Sequence, residues 1–335
     1  MSVTAAAYSR YVDNVERTVL DQLEDNKPDM VRSLFTSVPW QEGDGEKVTF
    51  NSIALSGFAQ RVDENEDYPE INPTDGNQLE KTQIQFGDKL NISRRMMKFG
   101  NRHPQVLRFG SKLATRVKNS LDIELTQQLF GEADQTTFTP KGKSAYNIAT
   151  SDTKALIASD HSYGGISFSN LLSGAGALGM DNLNTLIQQG QQNTPDDFGT
   201  YLTPDYNTIV IANNIIMVNK CHQLFGSSLT PETTNNAVNY YGGQGQFRVV
   251  ALKHGNKNAI GTASTDNIYR WMIMDSEMAS EGLQLMMAEE PTTEQKFVDS
   301  DNLIAKLLVT QFAAYAAVQP QGILASLSTT APTIS

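Results

Sequence analysis

One cysteine, Cys221, is all the thiol chemistry in 335 residues. It excludes an intrachain disulfide framework and any multi-cysteine zinc site, so stability must come from packing and association, as suits a reducing cytoplasm. Cations are also few, 26 Lys and Arg against 37 Asp and Glu, for a formal charge of -11. Phosphate contacts are built from clustered cations, so a chain this acidic is not a dedicated nucleic-acid binder, although a local basic face stays open. No apolar run reaches the roughly 18 residues of a membrane span, and the stretch Met1 to Arg10 lacks a basic segment followed by an apolar one. The expectation is a soluble chain without a signal peptide. At 335 residues it exceeds the usual single-domain size, so two or more lobes are expected.

Motifs that carry chemistry are equally sparse. Ser159, Asp160, His161 and Ser162 set a nucleophile, a carboxylate and a base side by side, but oriented triads are normally assembled from separated segments. Cys221 and His222 are adjacent, so on a helix their side chains diverge, and no second pair has metal-ligand spacing. Gly242, Gly243 and Gly245 precede a strand with no Gly-Lys-Ser/Thr after them, which reads as a flexible turn and not a phosphate loop. The acidic run Asp63, Glu64, Glu66 and Asp67 lacks the glycine and distal glutamate of a dedicated calcium loop. No cofactor or metal is called for.

What is present is a succession of amphipathic segments. Ala7, Tyr11, Val15, Val19, Leu20 and Leu23 recur at threes and fours, one helical stripe that docks either on its own domain or over a neighbouring subunit. From Glu46 to Asn91 the period changes to two, with Val48, Phe50 and Ile53 to Phe58 in one run, Leu79, Ile84, Phe86, Leu90 and Ile92 in another, and an acidic connection between them. This predicts an extended hairpin, too thin to be stable alone. Pro104 suits a first helical turn, and Val106, Phe109, Leu113, Val117, Leu121, Leu125 and Leu129 continue a stripe to Gly131. A helix over 104–130 would be on the order of 40 Å long. Its other side carries Arg102, Arg108, Lys112, Arg116 and Lys118, either a solvated flank or a surface that meets nucleic acid through its backbone charge.

Further along, 132–170 is loop-rich, Asn182 to Gln192 is helical by spacing, and Thr208 to Ala212 reads as a buried strand running into a helix with Ile215, Ile216, Val218, Cys221 and Leu224. Phe247 to Leu252 and Ile268 to Met274 read as strands, so the class is α+β, without internal repeats. Leu303 to Val318 is ambiguous, alanines favouring helix and β-branched and aromatic residues favouring strand, and its pattern alone says helix.

The chain closes with Trp271 to Asp275, the Met-rich Leu285 to Pro291, Asp299 to Asn302, then an apolar run to Val318 and the Gln319-Pro320-Gln321-Gly322-Ile323 phrase. That order of segments resembles tailed-bacteriophage major capsid proteins of the Hong Kong phage type, a fold shared with encapsulins. Phe58 to Arg61 with the Tyr68-Pro69 loop resembles the extended E-loop, and Arg94 to Gly100 resembles the entry to the spine helix. Lys154 to His161 resembles a phrase common in coat proteins related to the head subunits of transposable phages, with Ile157 where a Phe is expected.

The resemblance implies an amino-terminal arm over 1–45, an E-loop over 46–91, and a peripheral domain over 92–180 with spine helix 104–130. An axial domain over 181–290 would follow, then a return strand and tail over 291–335; it turns Leu303 to Val318 into a long strand. It implies no enzyme and no cofactor, but hexamers and pentamers of an icosahedral head around double-stranded DNA, assembled in the host cytoplasm. Portal and decoration proteins are partners on this reading, with a separate scaffolding protein or none, and no membrane. Tyr11, Val15, Val19, Phe58 and Tyr68 are its inter-subunit candidates, and Arg102, Arg108, Lys112, Arg116 and Lys118 its DNA-facing ones. The alternatives are an encapsulin-like compartment shell and a soluble hydrolase using His161.

Overall fold

The computed structural model describes residues 5–25, 29–40, 45–53, 75–93, 103–140, 142–226, 239, 241–242, 246–258, 264–299 and 304–333. Helix α1 (Ala5–Asp25) leads through a short 3-10 turn to β1 (Thr36–Val38), β2 (Lys47–Ile53), β3 (Asp75–Thr82) and β4 (Ile84–Ser93). The long helix α2 (His103–Thr126) ends in a π turn over Gln127–Gly131, followed by the two-residue strands β5 (Thr137–Phe138) and β6 (Tyr146–Asn147) and the hairpin β7 (His161–Tyr163) and β8 (Ile166–Phe168). Then come α3 (Met180–Asn193), β9 (Thr208–Ala212), α4 (Ile215–Gly226), β10 (Arg248–Leu252), β11 (Trp271–Met274) and α5 (Ser276–Gly282). The chain closes with β12 (Leu283–Asp299), β13 (Ile304–Ala317) and β14 (Ile323–Ser326). No described helix is long and apolar enough to cross a membrane.

One sheet has the order β10-β9-β11-β14. Side chains alternate across a strand, and here both faces find cover. Ile209, Ile211, Trp271, Ile273 and Leu324 pack with Leu183 and Leu186 of α3 and Met217, Cys221 and Leu224 of α4. Val210, Ala212, Val250, Leu252, Met272, Met274, Ile323 and Ala325 face the largest core, which also holds α1 and α2. A strand buried on both sides reads as a continuous apolar run, which is how Thr208–Ala212 reads.

The second sheet has the order β1-β12-β13-β4. Its inner face, with Ala305, Leu307, Val309, Ala313 and Tyr315, packs on α1 and α2. At the Ala314–Val318 end the outer face is covered too, by Val48 and Phe50 of the β2-β3 hairpin. That double cover explains the alanine-rich, helix-like pattern of Leu303 to Val318, of which Ile304–Ala317 forms the long strand β13. The expected hairpin is present at its base, but the second run splits at Gln83: β3 pairs with β2, whereas β4 leaves to pair with β13. The connection over 54–74, with Phe58, the acidic run and Tyr68, lies outside the described residues.

Helix α1 does not reach out as an arm. Tyr11, Val15 and Val19 are all but fully buried in the chain's own core. The approach to α2 is close, because a Cβ placed on Gly110 would stand 3.1 Å from Val19 Cγ2 and 3.2 Å from Val15 Cγ1. Thr293 of β12 donates to Glu16 Oε1 at 3.0 Å from the sheet side. The expectation that these three apolar side chains contact a neighbouring subunit is therefore corrected: they complete the subunit's own core, since an apolar helical stripe buries itself on the nearest apolar surface available.

Candidate assembly and polyanion surfaces

The basic side of α2 divides in two. Arg108, Lys112 and Arg116 stand four residues apart, on one helical flank, and all three are exposed. Arg116 Nη1 lies 2.9 Å from Asp88 Oδ2 on β4 while remaining about three-quarters exposed (74%). Lys118, two positions on, points elsewhere: its ammonium donates to the Leu23 carbonyl in the last turn of α1, where a cation meets the helix dipole favourably. Burial lowers its pKa, and the neighbouring Arg32 lowers it further. Lys118 is thus an internal tie between α1 and α2 and leaves the DNA-facing set. Arg102 lies outside the described residues. The i, i+4, i+8 spacing of 108, 112 and 116 was the sequence signal that separates them from Lys118.

Between β4, α2 and the loop before β6 lies a cleft of about 800 Å³. Ile84, Phe86, Val117, Ile123 and Tyr146 form its apolar floor, with Arg116 and Lys143 beside them. Glu124 also opens onto it and accepts the Tyr315 hydroxyl at 2.8 Å. Burial pushes the Glu124 pKa up to about 7, against the opposing pull of that hydrogen bond. Burial alone pushes the ammonium of Lys81, at the hairpin base, down to about 8. It donates to the carbonyls of Asn147 at 2.8 Å and Ala149 at 3.4 Å, fixing β3 to the body. Neither group was legible in the sequence, because nothing in local spacing marks a Glu or Lys for burial.

Among the described residues, none covers the remaining outer face of the β1-β12-β13-β4 sheet along its length. Its cross-strand rows include Glu294, Leu308 and Lys89 in one line and Glu289, Phe312 and Gln85 in another. Glu289, Glu290 and Glu294 are exposed at the β12 margin and Lys89 at the β4 margin, while Leu308 and Phe312 between them are half-buried.

The reactive-looking motifs take structural roles. His161 has no exposure; its Nδ1 lies 2.8 Å from Asp152 Oδ2 and its ring stacks on Phe168 with centroids 5.3 Å apart. Burial works to raise the Asp152 carboxyl, but hydrogen bonds from His161 and Thr150 outweigh it and hold the pKa low. Asp160 pairs instead with Lys154, and Ser162 faces solvent. A ring enclosed in this way holds the 150–154 loop to β7 and cannot reach a substrate. Cys221 is buried, which pushes its thiol to about 12, while His222 is exposed. No three His, Cys, Asp or Glu side chains gather as metal ligands among the described residues.

No protein-family model matches the sequence, and no curated protein matches it. Among solved structures, the chain is similar to the capsid of an empty GTA particle, with 8% identity over 90% of this chain and 89% of that one, at a TM-score of 0.50. It is also similar to a structure from Gordonia phage Cozz, with 12% identity over 89% and 85% of the two chains and a TM-score of 0.49. A virus-like particle from Pyrococcus furiosus aligns with 11% identity over 93% and 97%, at a TM-score of 0.45. At such identities a likeness speaks of fold alone, and what the chain shares with the GTA capsid is its α+β fold.

Proposed function

We propose that this chain is a non-enzymatic shell subunit that self-associates into hexamers and pentamers of a closed icosahedral head around double-stranded DNA. The observation that carries the reading is the shared fold with the GTA capsid across nine-tenths of the chain. The reading assigns 92–180 with α2 to a peripheral domain, 181–290 to an axial domain, and 46–91 to an E-loop whose far part packs on a neighbour. Phe58 and Tyr68 are its contact residues there, and portal, scaffolding and decoration proteins its further partners in a head assembled in the host cytoplasm.

Arg108, Lys112 and Arg116, with Arg102 preceding them in sequence, are assigned to the DNA side. A row of exposed cations on an acidic chain attracts phosphate without reading bases, and the attraction weakens with salt. Size-exclusion chromatography and negative-stain imaging of the purified protein test the assembly. Shells, tubes or rings are expected; a chain that stays monomeric at every concentration and salt, alone and co-expressed with its neighbouring gene products, removes the proposal. Amide exchange tests the E-loop: 54–74 should gain protection on assembly, whereas 47–53 and 75–82 should be protected in both states.

A further inference from the structure

Glu124 lines the cleft between β4, α2 and the loop before β6, and among the described residues no cation pairs with it. Its Oε2 accepts the hydroxyl of Tyr315, a side chain wholly buried in the core. Tyr146 also lines the cleft, and its buried hydroxyl has no hydrogen-bond partner among the described residues. Burial and then the Glu124 charge raise the pKa of that phenol, so the two groups are neighbours. Phe86, Val117 and Ile123 complete the apolar surroundings. A cleft of about 800 Å³ with apolar walls and a few convergent polar groups has the form of a small-molecule site. A carboxyl whose acidity is perturbed inside such a cleft marks the position where a ligand is recognised. The other charges at the cleft differ from it: Arg116 pairs with Asp88, and Lys143 is exposed.

We propose that this cleft binds a small primary amine carried on an aromatic or aliphatic body, the ammonium seated on Glu124 and the body on Phe86, Val117 and Ile123. An ionised carboxyl in an apolar wall is costly until an opposite charge meets it. An ammonium brings three donors and no acceptor, so one N–H serves the carboxylate and another the unpartnered Tyr146 oxygen. The bond to the carboxylate is charge-assisted and correspondingly strong. Aromatic faces such as those of Phe86 and Tyr146 attract a cation as well. An anionic ligand would find Lys143, but it would set its charge against Glu124 whenever that group is ionised. Binding is linked to a proton, because an ammonium beside Glu124 favours the ionised form of a carboxyl that burial holds at about 7. The walls named here all belong to one chain, so the site stands whether or not the chain builds a shell.

Titration calorimetry on the full chain tests this with 2-phenylethylamine, against 3-phenylpropionate as a similar body of opposite charge. At pH 8 the amine should bind with a Kd on the order of a millimolar or below. It should bind about tenfold or more tightly than the carboxylate. From pH 6 to pH 8 its affinity should rise about tenfold, as a carboxyl with a pKa of about 7 goes from mostly protonated to mostly ionised. The charged and titratable groups facing Glu124 are Asp88 of β4, Arg116 of α2, Lys143 of the loop, Tyr146 of β6 and Tyr315 of β13. Glu124→Gln, which keeps an acceptor for Tyr315, separates Glu124 from them: it should weaken the amine at pH 8 by about tenfold or more and abolish the pH dependence. Lys143→Gln should leave the amine within about twofold. No amine binding at pH 8, equal binding of the carboxylate, or an affinity that Glu124→Gln leaves unaltered overturns the proposal. Should that variant fail to fold, the unaltered chain decides. At pH 6 amine binding should release about half a proton or more, read as heats that differ between buffers of different ionisation enthalpy, and heats independent of buffer overturn the proposal as well.

Discussion

In the β10-β9-β11-β14 sheet, Ile209, Ile211, Trp271 and Ile273 lie beneath α3 and α4 while Val210, Ala212, Met272 and Met274 lie against the central core. In the β1-β12-β13-β4 sheet, the face toward α1 and α2 is the one covered along its length by described residues, and beyond the hairpin the other face shows Glu294, Leu308 and Lys89 in a row. The first sheet buries most of its side chains for its own stability, Arg248 being an exposed exception. The second, among the described residues, leaves part of one face and two margins uncovered. Covered strands carry little information about partners, whereas half-covered ones carry most of it, because polar residues on an open face are not needed by the fold.

The comparison breaks most decisively at Trp271. Its ring is fully buried and its indole N–H donates to the Gly176 carbonyl at 3.1 Å. Trp271→Ala should cost about 3–5 kcal/mol in urea unfolding, through lost burial and an unrelaxed cavity. Phe312→Ala, on the half-covered sheet, should cost the isolated subunit no more than about 1–2 kcal/mol and act mainly on assembly. Equal losses at the two positions would mean the open face is not open.

A second, smaller effect separates the sheets by pH. Glu124, which joins α2 to Tyr315 of β13, has a pKa raised from 4.5 to about 7 by burial. Its folded form holds a proton that the unfolded chain has released, so the stability associated with this group is whole below about pH 4.5 and falls as pH rises to about 7. The difference of 2.5 units corresponds to about 3 kcal/mol as an upper bound. Glu124→Gln should flatten the fall in melting temperature between pH 5 and 8. A variant with the same pH profile as the parent would place the titration elsewhere.

Much of this was legible in the sequence, for reasons that differ by element. The strands at 208–212, 248–252 and 271–274 and the helices at 180–193 and 215–226 announced themselves by apolar run or by 3.6-residue period. The long helix was visible from Pro104 to Gly131, although its last turn is π and not α. Strand β13 was not legible from its pattern, since cover on both faces at Ala313–Ala317 erased the alternation that marks a strand. Nor was the switch of partner at Gln83, because β3 and β4 carry the same period and only tertiary pairing divides them. Among the candidate site residues, burial withdrew Tyr11, Val15 and Val19 from the surface; periodicity shows which residues of a helix share a face, but not which chain that face meets.

The smallest expected effect sharpens the comparison within α2 itself. Lys112 is exposed on the flank shared with Arg108 and Arg116, whereas Lys118 ties α2 to the Leu23 carbonyl. Lys118→Gln should loosen α1, with a loss of about 1 kcal/mol or more from a charge-assisted hydrogen bond at a half-buried site, seen as faster amide exchange over 10–23. Arg108→Gln with Lys112→Gln should change subunit stability by less than about 0.5 kcal/mol and leave empty-shell assembly intact. If that flank meets DNA, the same pair of changes should lower the retention of packaged DNA on heating, and the deficit should shrink as salt rises, because added ions screen the charges that remain. Loss of shells altogether would make Arg108 and Lys112 contacts between subunits, and unaltered DNA retention at low salt would return them to an ordinary solvated flank.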